Sequence, residues 1–262
     1  YSARTGVWST LNGCYIPRRE EWTLAHMFYE GGYTTAMFGK WHLGDSYPYG
    51  AEHRGFQHVV RHGAGVVGEI PDAWNNNYYD DTYLKNGKWV KYDGFCTDIW
   101  FDEAIQWIRH QVKTTSNSKL QTPQPFFCYL AVNAPHGPFN SHEKYFKPYL
   151  ELGVPEKRAR FYGLIANIDE NIGRMLEFLD DEGLAEDTVL IFMGDNGTAM
   201  GAGVRGNGLV KDGFNAGMRG KKTMPYEGGH RNACFVRWPA GGIGGGRDVA
   251  GLSAHLDLMP TL

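Results

Sequence analysis

Cysteine is scarce in this sequence, and its placement is uninformative for metal or redox chemistry. The four cysteines, Cys14, Cys96, Cys128 and Cys234, are spread over 262 residues, with no C-x-x-C pair among them. That spacing argues against a zinc ribbon or a thioredoxin motif, and an even number permits disulfides without arguing for them. Long apolar runs are missing too. None approaches the ~20 residues that cross a bilayer, and the opening YSARTGVW has no signal-peptide character. Neither charge dominates: 26 Lys and Arg face 29 Asp and Glu, for a net charge of −3. A nucleic-acid partner would call for a basic field, and there is none. No internal repeat is present.

What remains is an ordinary globular composition, 42% hydrophobic and 21% charged, long enough for one large α/β domain or two small ones. Four continuous apolar runs read as buried strands: TTAMFG (34–39), FFCYLAV (126–132), TVLIFMG (188–194) and ACFVRW (233–238). Continuity rather than alternation is the mark of parallel strands covered on both faces. Helical patterns lie between them. EEWTLAHMFYEGG (20–32) has acids at its start and glycines at its end, as the helix dipole and capping rules favour. TDIWFDEAIQWIRHQV (97–112) follows. The longest helix, 158–182, carries Phe161, Leu164, Ile165, Ile168, Ile172, Met175, Leu176 and Leu179 at spacings of three and four, and Gly183 closes it. The expected class is α/β, a mostly parallel sheet with helices on both faces. Residues 44–94 and 195–232 resist assignment, and GGIGGG (241–246) reads as a surface loop.

Three of the strands end in polar clusters. Lys40-Trp41-His42 follows the first, NAPHGPF with His136 the second, and Asp195-Asn196-Gly197 the third. Ligands of open α/β sheets bind outside the carboxyl ends of the strands, so the three clusters are expected to meet at one crevice. Each also has a plainer reading. Asp-Asn-Gly is a common turn, APHGPF is a proline-shaped loop, and Trp41-His42 suits a core. A fourth cluster, MRGKKTMPYEGGHR (218–231), offers Arg219, Lys221, Lys222, His230 and Arg231, interrupted by Tyr226 and two glycines. GAGVVG (63–68) and GAGVRG (201–206) match a dinucleotide fingerprint in letters only, since neither leads into a helical pattern. The sequon NGT (196–198) is short enough to arise by chance.

GKWHLG, APHGPF, MGDNG and KKTMPYEGG, in that order, resemble the motifs of the type I, formylglycine-dependent sulfatases of the alkaline phosphatase superfamily. RTGVW (4–8) and DLMPTL (257–262) resemble further family segments, so the likeness covers essentially the whole chain, and arylsulfatase-like proteins are nearest. The resemblance implies an alkaline-phosphatase-like fold and a sulfuric ester hydrolase. It implies Asp195 and Asn196 as ligands of one Ca²⁺, whose preference for oxygen suits them. Lys40 and Lys222 would hold sulfate oxygens, His42 would contact the formylglycine hydrate, and His136 would bind sulfate and protonate the leaving alcohol. His230 is a candidate substrate-binding residue.

The sequence departs from the family pattern at its start. No C-x-P-S-R segment, the source of formylglycine, occurs, and neither do the two metal-binding aspartates usual near the family's N-terminus. Ala233 stands where a proline is common. Residues 1–262 are therefore expected to form an incomplete catalytic domain. The nucleophile would lie upstream of Tyr1, a smaller subdomain would lie beyond Leu262, and this stretch alone would not turn over. The implied partners are a sulfated small molecule or carbohydrate and a formylglycine-generating enzyme, with a periplasmic or secreted location. Rival readings are a phosphodiesterase or phosphonate monoester hydrolase of the same superfamily, against which the lysines weigh, and a non-catalytic anion-binding homologue. Trp74, Tyr78, Tyr79, Tyr83 and Trp89 in the 44–94 region either stack on sugar or aryl rings or pack the loop onto the domain.

Overall fold

The computed structural model describes residues 2–9, 15–70, 72–116 and 124–262, which leaves Cys14 outside the described residues. The chain divides into two compact units, Tyr1–Pro138 and Phe139–Leu262.

The first unit holds helices α1 (Ser2–Thr5), α2 (Leu24–Glu30) and α3 (Cys96–Ser116) and strands β1 (Thr34–Gly39), β2 (His58–Arg61), β3 (Thr82–Lys85), β4 (Lys88–Lys91) and β5 (Phe126–Ala131). Its five-stranded sheet runs β4-β3-β2-β1-β5. β1 pairs in parallel with both β2 and β5, whereas β3 and β4 add an antiparallel edge. β1 is central, and Ala36, Met37 and Phe38 are fully buried, which is why its middle is apolar on both faces. Successive side chains point to opposite faces. On one face Met37 joins Ala25 of α2 with Trp41, Ala51, Phe56 and Val59, and Phe28 stacks on Phe127 at 4.5 Å. On the other, Phe38 and Phe126 meet Trp107 of α3. The fold is α/β, with helices on both faces of a mixed sheet.

α2 is shorter than its pattern suggested because Thr23 caps it. The Thr23 hydroxyl accepts the His26 N–H at 3.3 Å, and the Thr23 N–H donates to His26 Nδ1 at 3.1 Å. The acids expected to open the helix lie before that cap, and Glu21 pairs with Arg4 instead. Tyr78 and Tyr83 are fully buried, so for them the packing reading holds, and Trp74 is 90% exposed.

The second unit begins with a helical pair, α4 (Glu143–Glu151) and α5 (Glu156–Asp181). α5 buries Phe161, Leu164, Ile168, Met175 and Leu179 as expected, and adds Asn167, Asn171 and Phe178. Ile165 is exposed. Gly183, at φ +67°, ends it with its N–H on the Asp180 carbonyl. β6 (Leu190–Met193) pairs with β9 (Cys234–Arg237), and β7 (Ala202–Val204) with β8 (Val210–Gly213), all antiparallel. Two short helices, α6 (Glu227–His230) and α7 (Leu258–Thr261), complete the unit. The runs at 188–194 and 233–238 are thus strands, as expected, but they pair antiparallel rather than lying within a covered parallel sheet. Phe192 and Phe235 on them are exposed.

Candidate active site

In the first unit, register puts Gly39 beside both Arg61 and Ala131, so β1, β2 and β5 end together. The residues that follow, Lys40, His62 and Val132, leave the carboxyl edge of the sheet, where α/β folds bind ligands. The Lys40 N–H donates to the Ala131 carbonyl at 2.7 Å. A Cβ on Gly39 would lie 2.2 Å from that same oxygen, and Gly39 has φ +106°, so glycine alone permits the crossing. Trp41 turns into the core, with its indole N–H on the Tyr49 carbonyl at 2.8 Å. The plainer reading is right for Trp41.

His42 adopts φ +49°, a left-handed conformation that side chains other than glycine seldom take. Its ring packs 4.9 Å from that of Tyr15 and lies flush on Gly65, where an added Cβ would be 2.4 Å from His42 Cε1. Gly65 of GAGVVG thus makes a floor for the imidazole. Asp72 holds that loop, accepting the N–H groups of Gly63 at 2.9 Å and Gly68 at 2.8 Å. Asp45, at the end of GKWHLGD, accepts from Ala64 and from Arg61, both at 3.0 Å. Arg61 is buried and reaches Glu52 with Nε and Nη2, each at 3.2 Å. Burial works to raise Glu52, but the hydrogen bonds from Arg61 prevail and its carboxyl sits below its usual value.

His62 is fully buried beside this edge. Its Nδ1 faces the Gly63 carbonyl at 2.7 Å, an oxygen that only accepts, so Nδ1 carries the proton. Burial lowers its pKa and outweighs the Gly63 hydrogen bond and the charge of Asp72, which raise it, while Lys40 adds to the lowering. The neutral ring thus adds no second positive charge beside Lys40.

His136 is exposed on the loop after β5, and its Nδ1 donates to the Gly137 carbonyl at 2.8 Å. The loop is gripped from inside. Tyr78 donates its hydroxyl to the carbonyls of His136 at 3.0 Å and Gly137 at 3.2 Å. Buried Asn133 accepts the Trp100 indole N–H at 2.9 Å and receives the His136 N–H on its own carbonyl at 3.1 Å. Lys40, His42 and His136 therefore issue from one edge of one sheet.

The second unit gathers the remaining candidates. Asp195, exposed, and Asn196 follow β6. The Lys222 N–H donates to the Thr198 carbonyl at 2.9 Å, and the Gly197 N–H to Gly229 at 3.0 Å. These bonds tie the DNG turn to KKTMPYEGG and hence to His230. The approach is close: a Cβ on Gly197 would lie 1.9 Å from the Gly228 carbonyl oxygen, and one on Gly229 2.1 Å from that of Met224. Thr223, next to Lys222, has φ +75°, an outlier for a β-branched residue. Arg219 stacks 3.8 Å above the Tyr226 ring, which explains the aromatic inside the charge run. His255, unremarked in the sequence, donates from Nε2 to the Gly194 carbonyl at 3.2 Å.

A calcium ion takes six to eight oxygen ligands. The Asn196 amide nitrogen donates to the Gly197 carbonyl at 3.1 Å, which leaves its side-chain oxygen as the acceptor end of the amide. The donor type fits Ca²⁺, and two residues alone fall short of the six to eight ligands that ion takes. Among the described residues no three His, Cys, Asp or Glu side chains group to hold a metal.

Of the residues that support the site, Asp72 and His62 carry no sequence signal, whereas Gly65 lies in GAGVVG, Tyr78 is one of the loop aromatics weighed for stacking, and Asn133 opens the NAPHGPF cluster.

Over residues 1–262 the chain matches the family described as Sulfatase. It is 28% identical to human N-acetylgalactosamine-6-sulfatase over 94% of its own length and 44% of that protein's. It is also 28% identical to the ulvan-active sulfatase of Formosa agariphila, over 77% of the chain and 40% of the relative. Among solved structures, that of Ps i-CgsB in complex with k-i-k-neocarrahexaose superposes with a TM-score of 0.76 at 26% identity, covering 99% of this chain and 58% of that one. The chain thus spans less than half the length of these two curated relatives.

Proposed function

Because this chain belongs to the sulfatase family, we propose that the complete protein hydrolyses sulfate monoesters, with sulfated carbohydrates as substrates. One observation carries the reading: Lys40, His42 and His136 leave the carboxyl edge of one sheet from the adjacent parallel strands β1 and β5. The carbohydrate preference is supported by the company the chain keeps, since the similar proteins include an N-acetylgalactosamine-6-sulfatase, an ulvan-active sulfatase and a neocarrahexaose complex.

A sulfate monoester carries one negative charge, and breaking the sulfur–oxygen bond moves charge onto the departing oxygen. In our reading Lys40 and Lys222 direct ammonium donors at the non-bridging oxygens. His136, protonated, donates from Nε2 to the leaving alcohol while the Gly137 carbonyl holds its Nδ1–H and fixes the ring. His42 orients the nucleophilic group, and His230 contacts the substrate. Asp195 and Asn196 contribute oxygens to the Ca²⁺ shell. When present, formylglycine, installed by a formylglycine-generating enzyme, supplies the attacking oxygen and Ca²⁺ supplies positive charge.

The test is sulfate release by the complete protein, produced together with a formylglycine-generating enzyme. An aryl sulfate, sulfated oligosaccharides and an aryl phosphate would be compared. Sulfate release that K40A or K222A lowers by about 10²-fold or more supports the reading. Faster turnover of the phosphate ester would overturn it in favour of a phosphoesterase. Binding of sulfate esters without turnover would overturn it in favour of an anion-binding homologue.

A further inference from the structure

We propose that Trp74 is a saccharide-stacking residue that extends the candidate site, seating a pyranose ring of a sulfated oligosaccharide away from the ester that is cleaved. The inference rests on the proposed function and adds the extended substrate.

The observation is a contrast within one loop. Trp74 is 90% exposed, yet the backbone on both sides of it is tightly held. Asp72, two residues before it, accepts the N–H groups of Gly63 at 2.9 Å and Gly68 at 2.8 Å. Asn76, two residues after it, exchanges paired hydrogen bonds with the backbone of Thr82 at the start of β3. Its Nδ2 donates to the Thr82 carbonyl at 2.5 Å, and its Oδ1 accepts the Thr82 N–H at 3.0 Å. Asn75 lies between them at φ +65°, a left-handed conformation that asparagine tolerates, and it fixes the direction in which the turn leaves Trp74. A large apolar ring on a braced turn loses little entropy when a flat ligand covers it. The same economy makes rigid aromatics frequent at binding surfaces.

Position links the indole to the candidate chemistry. Asp72 binds the N–H of Gly63, and two residues further on Gly65 lies against His42. Each two-residue step spans at most about 7 Å, so the backbone of Trp74 lies on the order of 20 Å or less from that of Gly65. A short oligosaccharide covers such a span. The neutral C–H face of a pyranose is the surface that an indole matches, so Trp74 would read the sugar chain independently of the sulfate group.

The experiment compares wild type, W74F and W74A of the complete protein on 4-nitrophenyl sulfate and on k-i-k-neocarrahexaose, and measures binding of the desulfated hexaose by calorimetry. The expectation for W74A is about a tenfold rise in KM for the hexaose and a matching loss of affinity for its desulfated form. Turnover of 4-nitrophenyl sulfate should stay within twofold, and W74F should restore most of the loss. If W74A leaves the hexaose constants unchanged, or lowers both substrates equally, the inference is overturned. Should neither substrate be hydrolysed while the Trp74-dependent affinity persists, the proposed function fails and the saccharide subsite stands.

Discussion

Replacing Gly65 by alanine separates a role for His42 in chemistry from a role in folding. The new Cβ would sit 2.4 Å from His42 Cε1 and 2.7 Å from each ring nitrogen. Ordinary contact begins near 3.4 Å, so the imidazole must retreat by about 1 Å, a misplacement that can cost 10²-fold in rate. Crowding of this kind costs about 1–3 kcal/mol. The reduced freedom of the unfolded chain returns about 0.4–1 kcal/mol, so the net destabilisation lies between about 0 and 2.6 kcal/mol. The assay is kcat/KM for an aryl sulfate in the complete protein, beside urea unfolding of the same variant. G206A is the control, because a Cβ at Gly206 meets no atom within 4 Å, and it should change both quantities little. If G65A shows the expected loss of stability but keeps its rate within twofold, His42 does not belong to the reacting site.

Asn133→Ala should destabilise the first unit by about 1–3 kcal/mol, because the Trp100 indole N–H loses its acceptor inside the core. Urea unfolding measures the cost. Asp81 is buried, and burial raises its carboxyl to about 6. Its contribution to stability is full below the unfolded carboxylate value and is lost as pH rises through about 6. His58 and His62, both lowered by burial, act oppositely and withdraw stability as pH falls through their folded values. D81N should therefore gain on wild type between about pH 4 and pH 6, and a difference in stability that is flat with pH would refute the assignment. Gly173 lies on the exposed side of α5, where an added Cβ would meet nothing within 4 Å. Hence G173A should stabilise by about 0.5–1 kcal/mol, read as a rise in Tm.

Much of this protein is decided locally. The run Thr34–Gly39 is a strand at the residues its letters mark, because β1 is buried on both faces: Ala36, Met37 and Phe38 are apolar, and the buried Thr35 hydroxyl donates to the Gly55 carbonyl at 2.7 Å. The long helix follows its three-and-four spacing to within two residues, and Gly183 ends it through a backbone conformation that glycine adopts freely. GKWHLG and APHGPF follow strands, as polar clusters behind buried runs should. The short strands His58–Arg61, Thr82–Lys85 and Lys88–Lys91 were not legible, since four residues with charged ends carry no period of their own and take their register from neighbours.

Only the tertiary structure could pair 190–193 with 234–237 antiparallel, because an apolar run states that a strand forms and not which strand it joins. Nor does a glycine announce what approaches it. Gly65 matters because His42 lies on it and Gly197 because Gly228 does, contacts between residues 23 and 31 positions apart. The sequence by itself determined the family, the longer helices and apolar strands, and the residue types at those strand ends. The three-dimensional packing decided which of those residues stand on buried supports, because hydrogen bonds such as Tyr78 to His136 and Asp72 to Gly63 exist only once distant segments meet.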